Sequence, residues 1–209
     1  MQFVAENEMI TQQFGIFDLA LKLKKGSLAL FPTDTLPALC SYPKYSKKIW
    51  TIKKRPSSKP LILMGGCSDD LFEFVHPCAL EESLQLAKIY WPGALTMVLP
   101  TIGNFSKYLN GNSNAVGFRV PALRIARDLL MQTGPLATTS ANISGETPVK
   151  DALEASIQFP EIPILAPIPW PSSSGMASTV VEWKNGKWNL LRPGSVSYTH
   201  LTLPTNREV

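Results

Sequence analysis

The amino-acid sequence predicts a single α/β domain, built on an open, twisted, mixed sheet flanked by helices. Three observations predict it. Short apolar runs of strand length alternate with longer segments of helical period. Their order is not a strict strand–helix–strand repeat, which argues against an all-parallel sheet. The chain has 209 residues, 44% of them hydrophobic, which is ample for one core and cramped for two.

The elements follow in order. Phe14, Phe17, Leu21 and Lys24 recur at three- and four-residue spacing before Gly26, so residues 11–25 read as an amphipathic helix. Ser27–Phe31 is a short buried strand that ends at Pro32. Residues 44–54 read as a helix closed by Pro56, and Leu61–Met64 is a second buried strand before Gly65-Gly66. Asp69–Val75 and Ala79–Tyr90 are helical, the latter stopped by Trp91-Pro92-Gly93. Leu95–Leu99 and Ala115–Val120 are strands, and residues 122–132 form a helix with Gly134 beyond its end. Leu136–Thr139 is a strand, a short helix lies near 150–157, and residues 160–171 are a proline-rich connector. Ser178–Trp183 and Trp188–Leu191 flank Asn185-Gly186, a strong hairpin signal. The domain is expected to occupy residues 10–196. The tail, 197–209, has no core role; it resembles translated vector sequence, or is a natural flexible terminus.

Composition excludes several function classes. No stretch reaches the ~20 apolar residues of a membrane helix, so no membrane partner is expected. The first fifteen residues carry Glu6 and Glu8 and no basic cluster, unlike a secretory signal, so a cytoplasmic location is expected. Cys40, Cys67 and Cys78 have neither disulfide-framework nor zinc-knuckle spacing. His76 and His200 are the only histidines, and no nucleophile-elbow pattern accompanies them. No metal-ligating residues are expected. The chemistry therefore rests on binding and electrostatics.

Charge is unevenly spread. Lys+Arg number 20 against Asp+Glu 16, a net +4, but residues 35–127 alone carry +7 and the remainder −3. Such a field attracts phosphate groups, whether of a nucleotide or of a nucleic acid. Part of it is explained by a solvated helix face bearing Lys44, Lys47 and Lys48. Lys53, Arg55 and Lys59 fit that explanation less well, because Pro56 and Pro60 interrupt any helix there.

Four segments place small hydroxyl, amide or guanidinium groups near strand ends, where ligands of open α/β sheets sit. They are Pro32-Thr33-Asp34-Thr35, Lys53-Lys54-Arg55-Pro56 with Ser58-Lys59-Pro60, Thr138–Gly145, and Ser178-Thr179 with Arg192. Each alone reads equally as an N-cap or an ordinary turn. Neither Gly-x-Gly-x-x-Gly nor a Walker P-loop occurs.

Taken together and in order, these pieces resemble the YrdC family of threonylcarbamoyl-AMP synthases, in its short single-domain form. The matching residues are Pro32–Thr35, Lys53-x-Arg55-Pro56 with Lys59–Ile62, Trp91–Gly93 with Leu95-Thr96, Val116–Pro121, Ser140-Ala-Asn142-x-Ser-Gly145, Ser178–Val180 and Leu191–Gly194. The resemblance implies a positively charged concave face on the sheet. It also implies joining of L-threonine, bicarbonate and ATP into threonylcarbamoyl-AMP, with release of pyrophosphate. The product feeds the t6A modification at adenosine 37 of tRNA through a downstream threonylcarbamoyl transferase complex. Lys53 and Arg55 are then the expected catalytic groups, neutralising the phosphates. Ser140, Asn142, Ser178, Thr179 and Arg192 complete the nucleotide site, and Thr33, Thr35 and Arg119 hold threonine. Mg2+ comes with ATP, held by its phosphates, and Asp34 is a weak candidate to touch it. The chain departs from the family pattern at Pro37, where an aromatic residue is common, and at Ala177 in Gly175–Thr179. The alternatives are an inactive tRNA- or double-stranded-RNA-binding module and a carbamoyl-transfer domain of the hydrogenase-maturation type. The latter lacks its zinc-finger and acylphosphatase-like segments here.

Overall fold

The computed structural model describes residues 12–111 and 113–197. The ends of two expected elements, the helix start at 11 and the domain start at 10, lie outside the described residues, as do His200 and the tail beyond residue 197.

Ten strands form one sheet in the order β1-β8-β2-β3-β7-β4-β6-β5-β9-β10 among the described residues. They are β1 (Gln13–Phe14), β2 (Ala29–Phe31), β3 (Ala38–Ser41), β4 (Ile62–Met64) and β5 (Leu95–Pro100). The rest are β6 (Ala115–Arg119), β7 (Leu136–Ser140), β8 (Ile164–Leu165), β9 (Thr179–Lys184) and β10 (Lys187–Arg192). Pairing is mixed: β1–β8, β8–β2, β4–β6 and β5–β9 are parallel, and the other neighbours are antiparallel. The expected open mixed sheet is what forms.

Alternation along each strand divides the core in two. Leu30, Leu39, Leu63, Met97 and Val181 face one apolar cluster, and Ala29, Phe31, Ala38, Cys40 and Met64 face another. On the first face pack α2 (Lys47–Ile52), α3 (Asp69–Phe72), α4 (Leu80–Tyr90) and α6 (Ala152–Gln158), through Ile49, Leu71, Leu86 and Ala155. On the second lie α1 (Ile16–Lys24) and α5 (Arg124–Thr133), through Leu19, Leu23, Ala126, Leu129 and Leu130. Those two helices belong to the cluster that takes in β2, β3 and β8. The rest of the second face, on β7, β4, β6, β5, β9 and β10, lines a cavity.

Several local expectations are corrected. The first helix starts at Ile16, after β1, and its buried residues are Leu19 and Leu23. Phe17 and Leu21, the expected inner stripe, are 71% and 57% exposed. The segment is apolar on both sides, and the two stripes lie two residues, about 200°, apart, so spacing alone does not choose between them. Residues 44–54 split into a 3-10 turn at Pro43–Tyr45 and α2; left-handed Lys54 (φ 49°) follows its end, ahead of Pro56. The helix expected over Asp69–Val75 spans only Asp69–Phe72. Strands β3, and β8 inside the proline-rich connector, were not expected. The hairpin turn at Asn185-Gly186 has both residues at positive φ (53° and 73°), as a tight two-residue turn requires.

Candidate active site

The uncovered half of the second face is the floor of a cavity of about 340 Å3. Much of its lining follows strand alternation: Ile62 and Met64, Ala115, Gly117 and Arg119, Thr96 and Val98, Ser178 and Val180; at the end of β7, Thr138, Thr139 and Ser140 all take part. Gly117 keeps this floor shallow, since a Cβ there would stand 2.8 Å from Ile62 Cγ2 and 3.2 Å from Thr96 Cγ2. At the far strand a bulge between Leu190 and Arg192 breaks the register. It lets both Leu191 and Arg192 join the lining, where strict alternation would admit only one. The walls include Arg55, Arg119 and Arg192, and no carboxylate lines the cavity.

Arg119 is 2% exposed and anchored from three sides. Its Nε donates to Gly93 O (3.0 Å), Nη1 to Thr35 Oγ1 (2.6 Å), and Nη2 forms an ion pair with Asp34 Oδ1 (2.8 Å). The same Asp34 oxygen accepts from Ala122 N at 2.9 Å, so this carboxylate is spent on holding the wall. Burial lowers the affinity of Arg119 for its proton, Asp34 opposes that, and Arg192 adds to it. Two cations are thus close enough to repel each other across the cavity.

Arg192 donates from Nε and Nη2 to Ser178 O (3.2 and 2.8 Å), and Ser178 Oγ shares a proton with Thr96 Oγ1 over 2.8 Å. A Cβ on Gly194 would lie 2.3 Å from Ala177 O, so residue 194 presses directly on the segment that carries Ser178. Arg55 donates to Lys59 O (3.4 Å) and Pro60 O (3.0 Å), which braces it at the cavity edge. Burial lowers its pKa.

Lys53 lies behind the cavity. It is 1% exposed, and its Nζ donates to Ser140 O (2.5 Å), to Asn142 O and to Asn142 Oδ1 (3.2 Å). Burial, then the neighbouring Arg55, push its pKa down to about 7. Asn142 also receives Ser140 Oγ–H on Oδ1 (2.6 Å) and donates Nδ2 to Ile143 O and Glu146 O, so its side chain is committed within its own loop.

Of the residues expected in the site, the structure brings Thr35, Arg55, Arg119, Ser140, Ser178 and Arg192 to the cavity lining. Thr33, Lys53, Asn142 and Thr179 stand outside that lining. Thr33 Oγ1 donates to Leu36 O (2.7 Å) and meets Thr35 Oγ1 (3.1 Å), shaping the loop that presents Thr35. Thr179 follows Ser178 on an extended strand and so points to the other face, where its hydroxyl donates to Val196 O at 2.7 Å. Thr96 and Gly117 were not singled out for roles. The signal for Thr96 was the alternation of Leu95-Thr96-Met97-Val98-Leu99, whose first, third and fifth residues form core. Among the described residues no group of three or more His, Cys, Asp and Glu is placed to hold a metal. Among the described residues no helix is long and apolar enough to cross a membrane.

A cavity of this size on an open mixed sheet, walled by guanidinium and hydroxyl groups, defines the class: an α/β domain shaped for a small anionic ligand. The family model Sua5_yciO_yrdC, described as telomere recombination, matches residues 22–194, and the chain belongs to that family. The threonylcarbamoyl-AMP synthase of Idiomarina loihiensis is 32% identical over 142 residues, covering 66% of this chain and 76% of that protein. That of Bacillus subtilis is 32% identical over 197 residues, covering 91% of this chain and 56% of that protein. The crystal structure of P. abyssi Sua5 complexed with L-threonine superposes with a TM-score of 0.76 at 30% identity, over 87% of this chain and 56% of that one. E. coli YciO shares the fold, with a TM-score of 0.75 at 22% identity over 87% of this chain and 90% of that one. The chain thus spans little more than half the length of the Bacillus and Pyrococcus proteins.

Proposed function

We propose that this chain is an L-threonylcarbamoyladenylate synthase, a nucleotidyltransferase that makes threonylcarbamoyl-AMP for the t6A modification of tRNA. The observation that carries the reading is the convergence of Arg55, Arg119 and Arg192 on a cavity with no lining carboxylate. Asp34 balances Arg119, which leaves Arg55 and Arg192 without a carboxylate partner at the cavity; guanidiniums so held are preorganised for a polyanion, and their repulsion is relieved when one binds. The relatives named as synthases and the threonine complex of P. abyssi Sua5 support the substrate assignment.

The chemistry suits such a site. The amine of L-threonine condenses with bicarbonate, losing water, to give a carbamate. A carbamate oxygen attacks the α-phosphorus of ATP; that O–P bond forms as the bond to the bridging oxygen breaks, and pyrophosphate leaves with the electron pair. Arg55 and Arg192 stabilise the charge that gathers on the leaving phosphates. The hydroxyl of Ser178 donates to a phosphate oxygen, and Ser140, whose own O–H is held by Asn142 Oδ1, lines the cavity beside it. Arg119 hydrogen-bonds Gly93 O and Thr35 Oγ1 and pairs its Nη2 with Asp34, which leaves N–H groups for the threonine carboxylate beside Thr35. Thr33 acts through Thr35, and Thr179 through its tether to Val196. The side chains do not fit a protein-held divalent ion, so Mg2+ enters with ATP as part of the substrate. No covalent enzyme intermediate is needed.

The proposal extends to a cytoplasmic location and to a downstream threonylcarbamoyl transferase complex that takes the product. A second reading, direct contact with tRNA or double-stranded RNA, is favoured by one observation: Lys44, Lys47, Lys48, Lys54 and Lys59 are all exposed around α2. Pyrophosphate release from ATP and Mg2+, with L-threonine and bicarbonate omitted in turn, tests the synthase. Release that requires both is expected. Absence of release from folded protein, together with salt-sensitive RNA binding, would leave the second reading in its place.

A further inference from the structure

Every N–H of the Lys53 ammonium has a partner on a single loop. An ammonium carries three donors and no acceptor. Here they reach Ser140 O, Asn142 O and Asn142 Oδ1. The main chain of the same residue holds the loop a second time, because Ser144 N donates to Lys53 O at 3.0 Å. Residue 53 therefore grips residues 140–144 with both ends. The loop is wired from within as well, by Ser140 Oγ to Asn142 Oδ1 and by Asn142 Nδ2 to the carbonyls of Ile143 and Glu146. Its carbonyls are drawn toward Lys53, while Ser140 lines the cavity. Lys53 is 1% exposed and lies outside the cavity lining, whereas Arg55, two residues on, is part of it.

We infer that Lys53 is a positioning residue, a clamp that fixes the 140–146 loop so that Ser140 faces the ligand, and that Arg55 alone of the pair meets the ligand's charge. A phosphate contact would need a free N–H pointing into the cavity, and all three are taken. A buried ammonium is tolerated because three oxygens replace its water; the same three oxygens lose their partner if it goes. What the loop serves rests on the synthase reading; the clamp itself does not.

The test measures amide hydrogen exchange in ligand-free protein, with nucleotide binding by calorimetry beside it. In Lys53→Met, exchange at Asn142, Ser144 and Glu146 is expected to rise on the order of tenfold or more, with the β5–β6 amides unchanged. Lys53→Gln, which keeps two donors without the charge, is expected to fall between wild type and Lys53→Met. ATP and AMP should weaken by the same factor, since a displaced loop does not count phosphates. Unchanged loop exchange with a selective loss of ATP over AMP would falsify the clamp and make Lys53 a phosphate ligand. Should Lys53→Met fail to fold, Lys53→Gln decides alone: raised loop exchange supports the clamp, and wild-type exchange overturns it. If wild-type protein binds neither nucleotide, the synthase reading fails while the exchange result still judges the clamp.

Discussion

Arg119 and Asp34 form a 2.8 Å ion pair at the wall of the cavity, with side chains 3% and 19% exposed. By sequence Asp34 is a weak candidate for a metal contact. The structure gives it two structural tasks instead, balancing a buried guanidinium and accepting from Ala122 N. Asp34→Asn keeps an acceptor but removes the counter-charge, leaving Arg119 buried and uncompensated. The expected cost is about 3 kcal/mol of unfolding free energy, the range in which breaking a buried pair falls. Urea denaturation checks it, with the midpoint lowered and the slope unchanged. A loss below about 1 kcal/mol would mean that water already screens the pair as it does at a surface.

Gly194 is needed for space, because its backbone passes 2.3 Å, measured from an added Cβ, from Ala177 O and 2.5 Å from Ser178 C. Those neighbours are backbone and cannot rotate away. Gly194→Ala must displace the segment bearing Ser178, and with it the Arg192 bond to Ser178 O. We expect a loss of about 2 kcal/mol in stability and a raised KM for ATP. Gly186→Ala is the control. It strains a positive φ of 73° in the hairpin turn but meets nothing within 4 Å, so it should lower stability and leave KM alone. Equal KM in the two variants would show that the strap over Ala177 does not position the site.

Much of the fold was legible because strand runs such as Leu95–Leu99 and the Asn185-Gly186 turn carry local signals. β3 was not, since Ala38-Leu39-Cys40-Ser41 is four residues with weak strand preference, held between β2, the strand just before it, and β7, which is distant in sequence. β8 is two residues inside a proline-rich stretch and exists only as the link between β1 and β2. At the site, residue types were readable and their direction was not. Thr179 could have been excluded, because consecutive strand residues face opposite ways and Ser178 was already assigned. Lys53 and Asn142 could not have been sorted from sequence. Their bond spans 89 positions, and they meet because α2 packs against β3, the sheet neighbour of β7, from whose end the loop of Asn142 leaves.

Thr96 supplies the hydroxyl that fixes Ser178 Oγ at 2.8 Å, and both residues are at least 95% buried. Thr96→Val keeps the shape of the side chain and removes the partner, so Ser178 loses its orientation. A stability loss of about 1 kcal/mol is expected, the usual worth of one such bond. The catalytic consequence is expected in KM for ATP, with kcat little changed, since the serine binds ground and transition states alike. Steady-state pyrophosphate release measures both. A fall in kcat at constant KM would instead place the Ser178 hydroxyl on the charge that develops during the reaction.

Lys53 gives the protein a pH dependence of a defined sign. Burial, with Arg55 adding to it, lowers its pKa from 10.5 to about 7 in the folded chain. Between pH 7 and 10.5 the unfolded chain holds a proton that the folded chain does not, so stability contributed by this group rises with pH across that window. Below about pH 7 both states are protonated and the burial penalty is constant and fully present. The limiting slope for one proton is about 1.4 kcal/mol per pH unit. Other titrating groups are removed by comparing wild type with Lys53→Met in paired urea titrations at pH 6, 7, 8 and 9, values chosen to bracket the shifted pKa of about 7. The difference between the two proteins should be flat from pH 6 to 7 and then move steadily in favour of wild type. A difference that stays flat to pH 9 would mean that the three loop oxygens hold the ammonium charged throughout, and that Lys53 grips its loop as a permanent cation.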